Sequence, residues 1–436
     1  MELRGRTFAV LTFGCKVNQY ESAELEDMLH AAGALSVSRE RAELLVVNSC
    51  TVTASADYQV RQAVRRLRRE NARALIVLTG CYVQVSGAEL TELDRRLLLL
   101  GNGAKAALVR YLENLEEPPE VFVGLEVPDR PKRLEVGPHL LDGRTRALVR
   151  IQDGCDHACS YCIVPRARGA SRSADPNEIL AAAGALSARG VKELVLAGVD
   201  IGAFGRDLEP QVDLCTLLRL LATSLPCRLR LSSIEPHQLN PGLFEVFGAM
   251  RTLCSSLHVP LQSGDDGVLA RMNRAVGTSR YEALLRQAKS LIPGVCIGAD
   301  VIVGLPGEDE ASFRRTRDFL TEAPIDYLHV FPYSPREGTA AALLPRERSG
   351  EVVRARAAEL RALSVSKRRA FALSQTGRPL TGLFCRDRRQ AGTFRGYTEN
   401  YIPVEVRSER DLDNALVRLY IRSVRRDGSL DLMLEQ

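Results

Sequence analysis

A chain of 436 residues with 45% hydrophobic content is too long for a single core and predicts two to four domains. Its 59 Lys+Arg against 54 Asp+Glu, net +5, do not by themselves mark a nucleic-acid binder, although all but six of the cations are arginine. Neither a leader-like apolar stretch in "MELRGRTFAV" nor a run of about 18 apolar residues is present, which predicts a cytoplasmic protein with no membrane partner.

Residues 1–117 predict an open parallel α/β domain. "TFAVLTFGC", "ELLVVNSC" and "ALIVLTGC" read as buried strands, with "SAELEDMLHAAGA" and "SADYQVRQAVRRLRREN" as helices. Each of these strands ends in a cysteine: Cys15, Cys50 and Cys81. Ligand sites of such sheets form at the carboxyl ends of the strands, so three thiols distant in the chain would converge there as a metal site. The total of eleven cysteines is odd, and a chain of this size needs no disulfide staples, which favours reduced thiols. The alternative is three buried packing cysteines, but these would show no preference for strand ends.

Residues 118–141, proline-bearing and without a sustained period, predict an interdomain linker. Residues 142–372 alternate again, with strands at "RALVRI", "KELVLA", "RLRLSS", "SSLHVP", "CIGADVIVG" and "YLHVFP" and helices such as "PNEILAAAGALSARG" and "EASFRRTRDFLTE" between them. Six βα units of this spacing predict a partial (β/α)6 barrel, whose active rim is the set of turns that follow the strands. Residues 374–436 alternate with a period of two around Gly, Asn and Asp, predicting a small all-β module. There Phe394, Tyr397 and Tyr401 are either core or a stacking platform for nucleic acid. Two helical stretches concentrate cations: Arg61 to Arg73 holds six arginines and one acid, and Arg346 to Arg369 eight cations and three acids. They are solvated faces or a surface for a phosphate-rich partner.

The loop after the first barrel strand, "QDGCDHACSYCIVPRARG", carries Cys155, Cys159 and Cys162. A closed zinc site needs four ligands, so either His157 completes a Cys3His set or three thiolates hold a cubane that leaves one iron open. Cys215, Cys227, Cys254, Cys296 and Cys385 follow no ligand spacing and are expected to be buried packing residues.

The C-x3-C-x2-C spacing, with Tyr161 before the last cysteine, resembles the radical S-adenosylmethionine superfamily. "LTFGCKVNQYES", "VVNSCTVTASAD" and "LTGCYVQ" resemble the N-terminal domain of its methylthiotransferases. "LAGVDIG", "SSIEP", "HVPLQSGDDGVLARMNR", "DVIVGLPGE" and "FPYSPREGT" are similar to later segments of that family, and "GYTENYIPVEV" to the TRAM RNA-binding module. "GCKVNQYE" most resembles the branch acting on threonylcarbamoyladenosine in tRNA, since the isopentenyladenosine branch tends to carry Gln and Met where Lys16 and Val17 stand.

The resemblance implies an enzyme that converts C2–H of N6-threonylcarbamoyladenosine, at position 37 beside the anticodon, into C2–SCH3. It implies two [4Fe–4S] clusters, one on Cys15, Cys50 and Cys81 that carries the sulfur and one on Cys155, Cys159 and Cys162 that cleaves S-adenosylmethionine. Two S-adenosylmethionine molecules supply the methyl group and the radical; tRNA and an electron donor such as flavodoxin or ferredoxin are the implied partners. It places Tyr161 against the cofactor's adenine, Gly198 and Val199 at its methionine end, and Ser232 and Glu235 near ribose or methionine. Ile302, Val303 and Gly304 would flank adenine. Asp200, where the family often has an amide or histidine, would repel the cofactor's carboxylate if ionised and is not placed in the site; "RDLDNALVRL" lacks the glycine expected before the penultimate strand. Methylthiolation of isopentenyladenosine or of a ribosomal-protein aspartate, and a non-catalytic iron–sulfur RNA-binding protein, are the alternatives.

Overall fold

The computed structural model describes residues 2–94, 96–115, 122–124, 134–139, 145–345 and 349–435. At the N-terminus, β1 (Thr7–Thr12), β2 (Leu35–Ser36), β3 (Leu44–Ser49), β4 (Leu75–Gly80), β5 (Leu97–Leu100) and β6 (Phe122–Gly124) form one parallel sheet ordered β2-β1-β3-β4-β5-β6. The central strands are buried along all but the first residue of β4, which is why they read as unbroken apolar runs. Helices α1 (Lys16–Ala31), α2 (Ala54–Glu70), α3 (Cys81–Leu90) and α4 (Leu108–Glu113) divide the apolar residues into two cores, one built on Val60, Val64 and Leu67 of α2 and the other on Leu25 and Leu29 of α1. Three strands escaped the sequence reading. β2 is two residues long, β5 is a leucine quartet with no period, and β6 lies in the stretch read as a linker, most of which falls outside the described residues.

The second unit begins with β7 (Arg146–Arg150), a short ribbon of β8 (Gln152–Asp153) and β9 (Arg172–Ser173), and α5 (Val164–Arg168) between them. There follow α6 (Pro176–Ala188), β10 (Glu193–Ala197), α7 (Leu214–Ser224), β11 (Arg228–Leu231), α8 (Pro241–Ala249) and β12 (Ser256–His258). Next come α9 (Asp266–Arg271), α10 (Thr278–Leu291), β13 (Cys296–Val303), α11 (Glu310–Glu322), β14 (Tyr327–Pro332) and the long α12 (Gly350–Ser374). Asp175, Asp213, Asn240, Asp265 and Asp309 each accept a backbone N–H at a helix start, which fixes where the barrel helices begin. β7, β10 and β11 pair in parallel, as do β12, β13 and β14, and bridges at Leu229–Leu253 and Ser233–His258 join the halves. The result is the six-stranded partial barrel expected, open between β7 and β14.

The N-terminal unit covers that opening from both edges. Arg150 of β7 reaches Glu21 at 3.6 Å and Glu24 at 3.5 Å on α1. Arg336, in the turn after β14, donates to Asp57 Oδ2 at 2.6 Å on α2 and to Thr51 Oγ1 at 2.5 Å. The barrel lumen is therefore roofed by the sheet edge that carries the three N-terminal cysteines.

The C-terminal module is antiparallel, with β15 (Pro379–Arg386), β16 (Thr393–Thr398), β17 (Pro403–Arg407), β18 (Ala415–Val424) and β19 (Leu430–Leu434) in the order β17-β16-β15-β18-β19. Phe394 is core, whereas Tyr397 and Tyr401 stack at 4.9 Å and receive Arg146 and Arg230 of the barrel. These aromatics therefore join the module to the barrel floor. The missing glycine before β18 is replaced by Asn414 at φ +52°, a side chain tolerant of that region. Of the five cysteines expected in cores, Cys227, Cys254 and Cys296 are buried, but Cys215 and Cys385 are only half-buried, because their elements lie on the outer layer.

Glu193, fully buried on the barrel floor, accepts from Arg228 at 2.6 Å and from Arg230 Nε at 2.9 Å. Burial alone would raise its pKa, but Arg230 and Arg228 outweigh it and hold it at about 2, against 4.5 when unpaired. A depressed folded-state value adds stability above about pH 4.5 that is lost as pH falls toward 2. Thermal melts from pH 6 to 2.5 are expected to show this acid-side decline in the native chain and a flatter one in Glu193→Gln. The variant should also lose about 3–5 kcal/mol at pH 7, because two buried guanidinium groups lose their anion; parallel pH profiles for the two proteins would refute this.

Candidate active site

Cys15 follows β1 and caps α1, Cys50 follows β3, and Cys81 follows β4 as the first residue of α3. The three cysteines thus stand at the ends of adjacent strands. Cys50 and Cys81 are each 5% exposed, while Cys15 faces open space ringed by protein. Gly14 makes this approach possible: it adopts φ +97°, and a Cβ there would stand 2.7 Å from Cys50 Sγ. Asn102 Nδ2 lies 3.7 Å from Cys81 Sγ and donates to Ala167 O at 2.8 Å. Burial, reinforced by Cys81 and Cys15, pushes the Cys50 thiol up to about 12. Bare thiols would thus stay protonated, and a bound cation would displace those protons.

The second triad lies on the rim loop after β8. Cys155 N–H donates to Gly169 O at 3.0 Å, Ser160 N–H to Met272 O at 3.0 Å, and Asn273 Nδ2 to Ala158 O at 2.9 Å, so the loop is pinned from several directions. Burial, then Asp200 and the companion thiols Cys162 and Cys159, pushes Cys155 up to about 12, and burial with Cys159 lifts Cys162 to about 11. Arg274 lies 3.8 Å from Cys159 Sγ.

Among the described residues, neither set of three cysteines draws its sulfurs within 4.8 Å of one another, whereas Cys155, His157 and Asp200 do offer ligand atoms that close. His157 Nε2 lies 2.9 Å from Asp200 Oδ2. Three soft thiolates spaced more widely than a single ion allows are a donor set for an iron–sulfur cubane with one iron unclaimed. Asp200 itself is ionised: burial would raise it, but hydrogen bonds from His157 and Gln238 pull it down. His157, 2.9 Å away, offsets part of its charge.

The rim residues fall into two groups. Tyr161 and Ile302 both pack against an apolar cluster that includes Met272 and Leu305. Val303 is buried, and Gly304 N–H is taken by Glu308 at 2.6 Å. Ser232 Oγ, at the end of β11, is buried without a hydrogen-bond partner among the described residues, and so awaits a polar ligand. Two of the expected groups are partly engaged. Val199 N–H is donated to Gln152 Oε1 at 3.0 Å. Glu235 accepts from Arg274 at 2.5 Å, so one carboxylate oxygen is already engaged in holding the loop beside Cys159.

A buried charge network joins the triads. Arg168, the last residue of α5, donates to Glu21 at 2.9 Å, Asp153 at 3.0 Å and Asn18 Oδ1 at 2.5 Å. Lys105 meets Glu21 at 2.5 Å and Arg172 meets Asp153 at 2.9 Å. Burial would raise Glu21, but Arg168 and Lys105 hold its carboxyl well below the usual range. α5 begins two residues after Cys162 and ends at Arg168, which lies close enough to Cys81 and Cys15 to feel both. Gln152, Arg168, Asn102 and Arg274 were not anticipated, since none has a sequence spacing that marks it; Asn18 and Glu21 lay inside a quoted motif without a role.

Residues 7–101 match a family described as uncharacterized protein family UPF0004, and residues 149–320 match the radical SAM superfamily. The threonylcarbamoyladenosine tRNA methylthiotransferase MtaB of Bacillus subtilis is 34% identical over 95% of this chain and 93% of its own. The tRNA-2-methylthio-N(6)-dimethylallyladenosine synthase of Pelobacter propionicus is 32% identical over 97% of this chain and 98% of its own. In fold, the radical S-adenosylmethionine methyltransferase TsrM of Kitasatospora setae, solved with cobalamin and a [4Fe–4S] cluster, superposes with a TM-score of 0.55 at 14% identity, over 76% of this chain and 77% of that one. With a third of its residues shared with such enzymes over nearly its whole length, the chain belongs to the radical S-adenosylmethionine methylthiotransferase family.

Proposed function

We propose that this chain methylthiolates C2 of N6-threonylcarbamoyladenosine at position 37 of tRNA. The observation that carries the reading is the side-by-side placement of two three-cysteine sites, one at the sheet edge over the barrel lumen and one on the barrel rim, joined by α5. When bound, the rim cluster supplies the electron that splits S-adenosylmethionine into methionine and a hydrogen-abstracting fragment, and the roof cluster presents sulfur. The net change balances as adenine C2–H, hydrosulfide and two S-adenosylmethionine giving C2–SCH3, S-adenosylhomocysteine, methionine, 5′-deoxyadenosine and a proton. The electron spent on the second sulfonium returns when the C–S bond forms.

The chain's own residues bind, orient and shield. Tyr161 and Ile302 make an apolar bed for adenine, and the unpartnered Ser232 hydroxyl offers a hydrogen bond to ribose or methionine. Gln152 holds the Gly198–Asp200 turn by accepting two of its N–H groups. The N-terminal unit roofs the lumen and keeps water from a reactive intermediate. Exposed arginines of α2 (Arg65, Arg66, Arg69) and α12 (Arg354, Arg361, Arg368, Arg369) are placed to meet tRNA phosphates, with salt-sensitive binding. An electron donor such as flavodoxin or ferredoxin completes the system. No helix among the described residues is long and apolar enough to cross a membrane.

Nucleoside mass spectrometry of tRNA tests the reading. Cells lacking the gene are expected to lose 2-methylthio-threonylcarbamoyladenosine and to accumulate threonylcarbamoyladenosine, reversed by the intact gene. A retained 2-methylthio derivative, in cells without a second copy, would exclude this substrate.

A further inference from the structure

Away from the cysteine loop, one group of ligand-type side chains among the described residues converges on a single point. His258, Asp300 and His329 each offer an atom within 4.8 Å of the other two. His258 Nε2 at 2.9 Å and His329 Nδ1 at 3.3 Å approach the same oxygen, Asp300 Oδ1.

Strand register builds this group. Asp300 of β13 pairs with His329 of β14, and His258 of β12 pairs with Gly298, two residues before Asp300 and on the same face. The alternate residues Leu257, Ala299, Val301, Leu328 and Val330 belong to the core shared with Leu285 of α10 and Leu320 of α11. His258, Asp300 and His329 therefore turn the other way, into the barrel lumen.

A supporting layer stands behind them. A Cβ on Gly298 would lie 2.1 Å from Tyr327 Cζ, so the glycine is what lets the tyrosine ring cross β13. The Tyr327 hydroxyl thereby comes 3.3 Å from His258 Nδ1. With Nε2 turned to a cation, Nδ1 would hold the proton and donate it to that hydroxyl, which fixes ring and tautomer together. The two imidazoles stack at 5.0 Å and 29°, an arrangement that two positively charged rings would resist. Burial would raise the Asp300 carboxyl, but His258 and then His329 hold it well below its usual range, so it is an anionic donor. Donor atoms about 2.1 Å from a metal stand about 3.0 Å apart in an octahedron and about 3.4 Å apart in a tetrahedron, close to the two contacts on Asp300 Oδ1.

We propose that His258, Asp300 and His329 bind one divalent transition-metal cation in the barrel lumen, at a site that uses no cysteine. Two imidazoles and a carboxylate suit ferrous iron or zinc, and manganese more weakly. Three protein ligands leave coordination positions free, and the His329 side chain, 45% exposed, marks the open side. The site does not depend on which base is methylthiolated.

Manganese is the probe, because it binds thiolates poorly and stands lowest in the affinity series, so it does not displace cluster iron. Anaerobic full-length protein with its iron–sulfur clusters reconstituted is titrated with MnCl2, and free Mn2+ is followed by its room-temperature electron paramagnetic resonance. The native chain is expected to take up about one Mn2+ per chain in a saturable manner. Asp300→Asn and His329→Phe should abolish that uptake with iron content unchanged, and Tyr327→Phe should weaken it about 10-fold by removing the hydrogen bond behind His258. Pulsed resonance on the bound ion of the native chain should show nitrogen coupling from coordinated imidazole, a readout that needs no variant to fold. Absence of uptake by the native chain, or bound Mn2+ without nitrogen coupling, would overturn the site and leave the three side chains as hydrogen-bonded neighbours only. Uptake that persists undiminished in both Asp300→Asn and His329→Phe would overturn it equally.

Discussion

Replacing Cys159 with alanine is expected to lower iron from about eight to about four per chain and to abolish both 5′-deoxyadenosine and methylthiolated product. Replacing Cys50 with alanine should also leave about four irons, yet 5′-deoxyadenosine should still form while product is lost. The two outcomes differ because the triads are separate: the thiols that raise Cys50 are Cys81 and Cys15, and those that raise Cys155 are Cys162 and Cys159. Iron and sulfide analysis on anaerobic protein, with chromatographic quantitation of 5′-deoxyadenosine, checks both. Product formation by Cys50→Ala at the native level would dismantle the two-site scheme, and full iron loss in either single variant would show that the sites are not independent.

The second large effect is expected at Arg168. Its guanidinium serves Glu21, Asp153 and Asn18 at once, and Arg168→Met leaves two buried carboxylates short of their main cation. The expected loss is about 3–5 kcal/mol, read as a lower Tm by circular dichroism. Arg168→Lys should recover only part of it, since one ammonium cannot reproduce a fork that reaches three acceptors. Because Arg168 also sets positive charge beside Cys81 and Cys15, iron retained at the roof site should fall in Arg168→Met more than at the rim site. A Tm unchanged from the native chain would mean that Lys105, Arg150 and Arg172 suffice.

The six strands of the barrel could be read directly from residues, because each is a short apolar segment bounded by turn residues and the pattern is local. The leucine quartet at 97–100 could not, since four identical apolar residues carry no period to separate strand from helix. The cysteines were legible for another reason. Three thiols within eight residues, and three at the ends of successive strands, are coincidences that packing does not require.

What sequence order alone established is therefore the fold class and the family, with two sets of candidate sulfur ligands. Pairing was beyond it. Arg168 and Glu21 are 147 residues apart, and nothing near either says that they meet. Asp200 looked like a misplaced charge until folding brought it to His157, and nothing in the order of residues says that Glu235 meets Arg274. Local spacing governs which ligands a segment can offer; which charges are satisfied and which are left waiting depends on burial, and burial is a property of the whole packed chain.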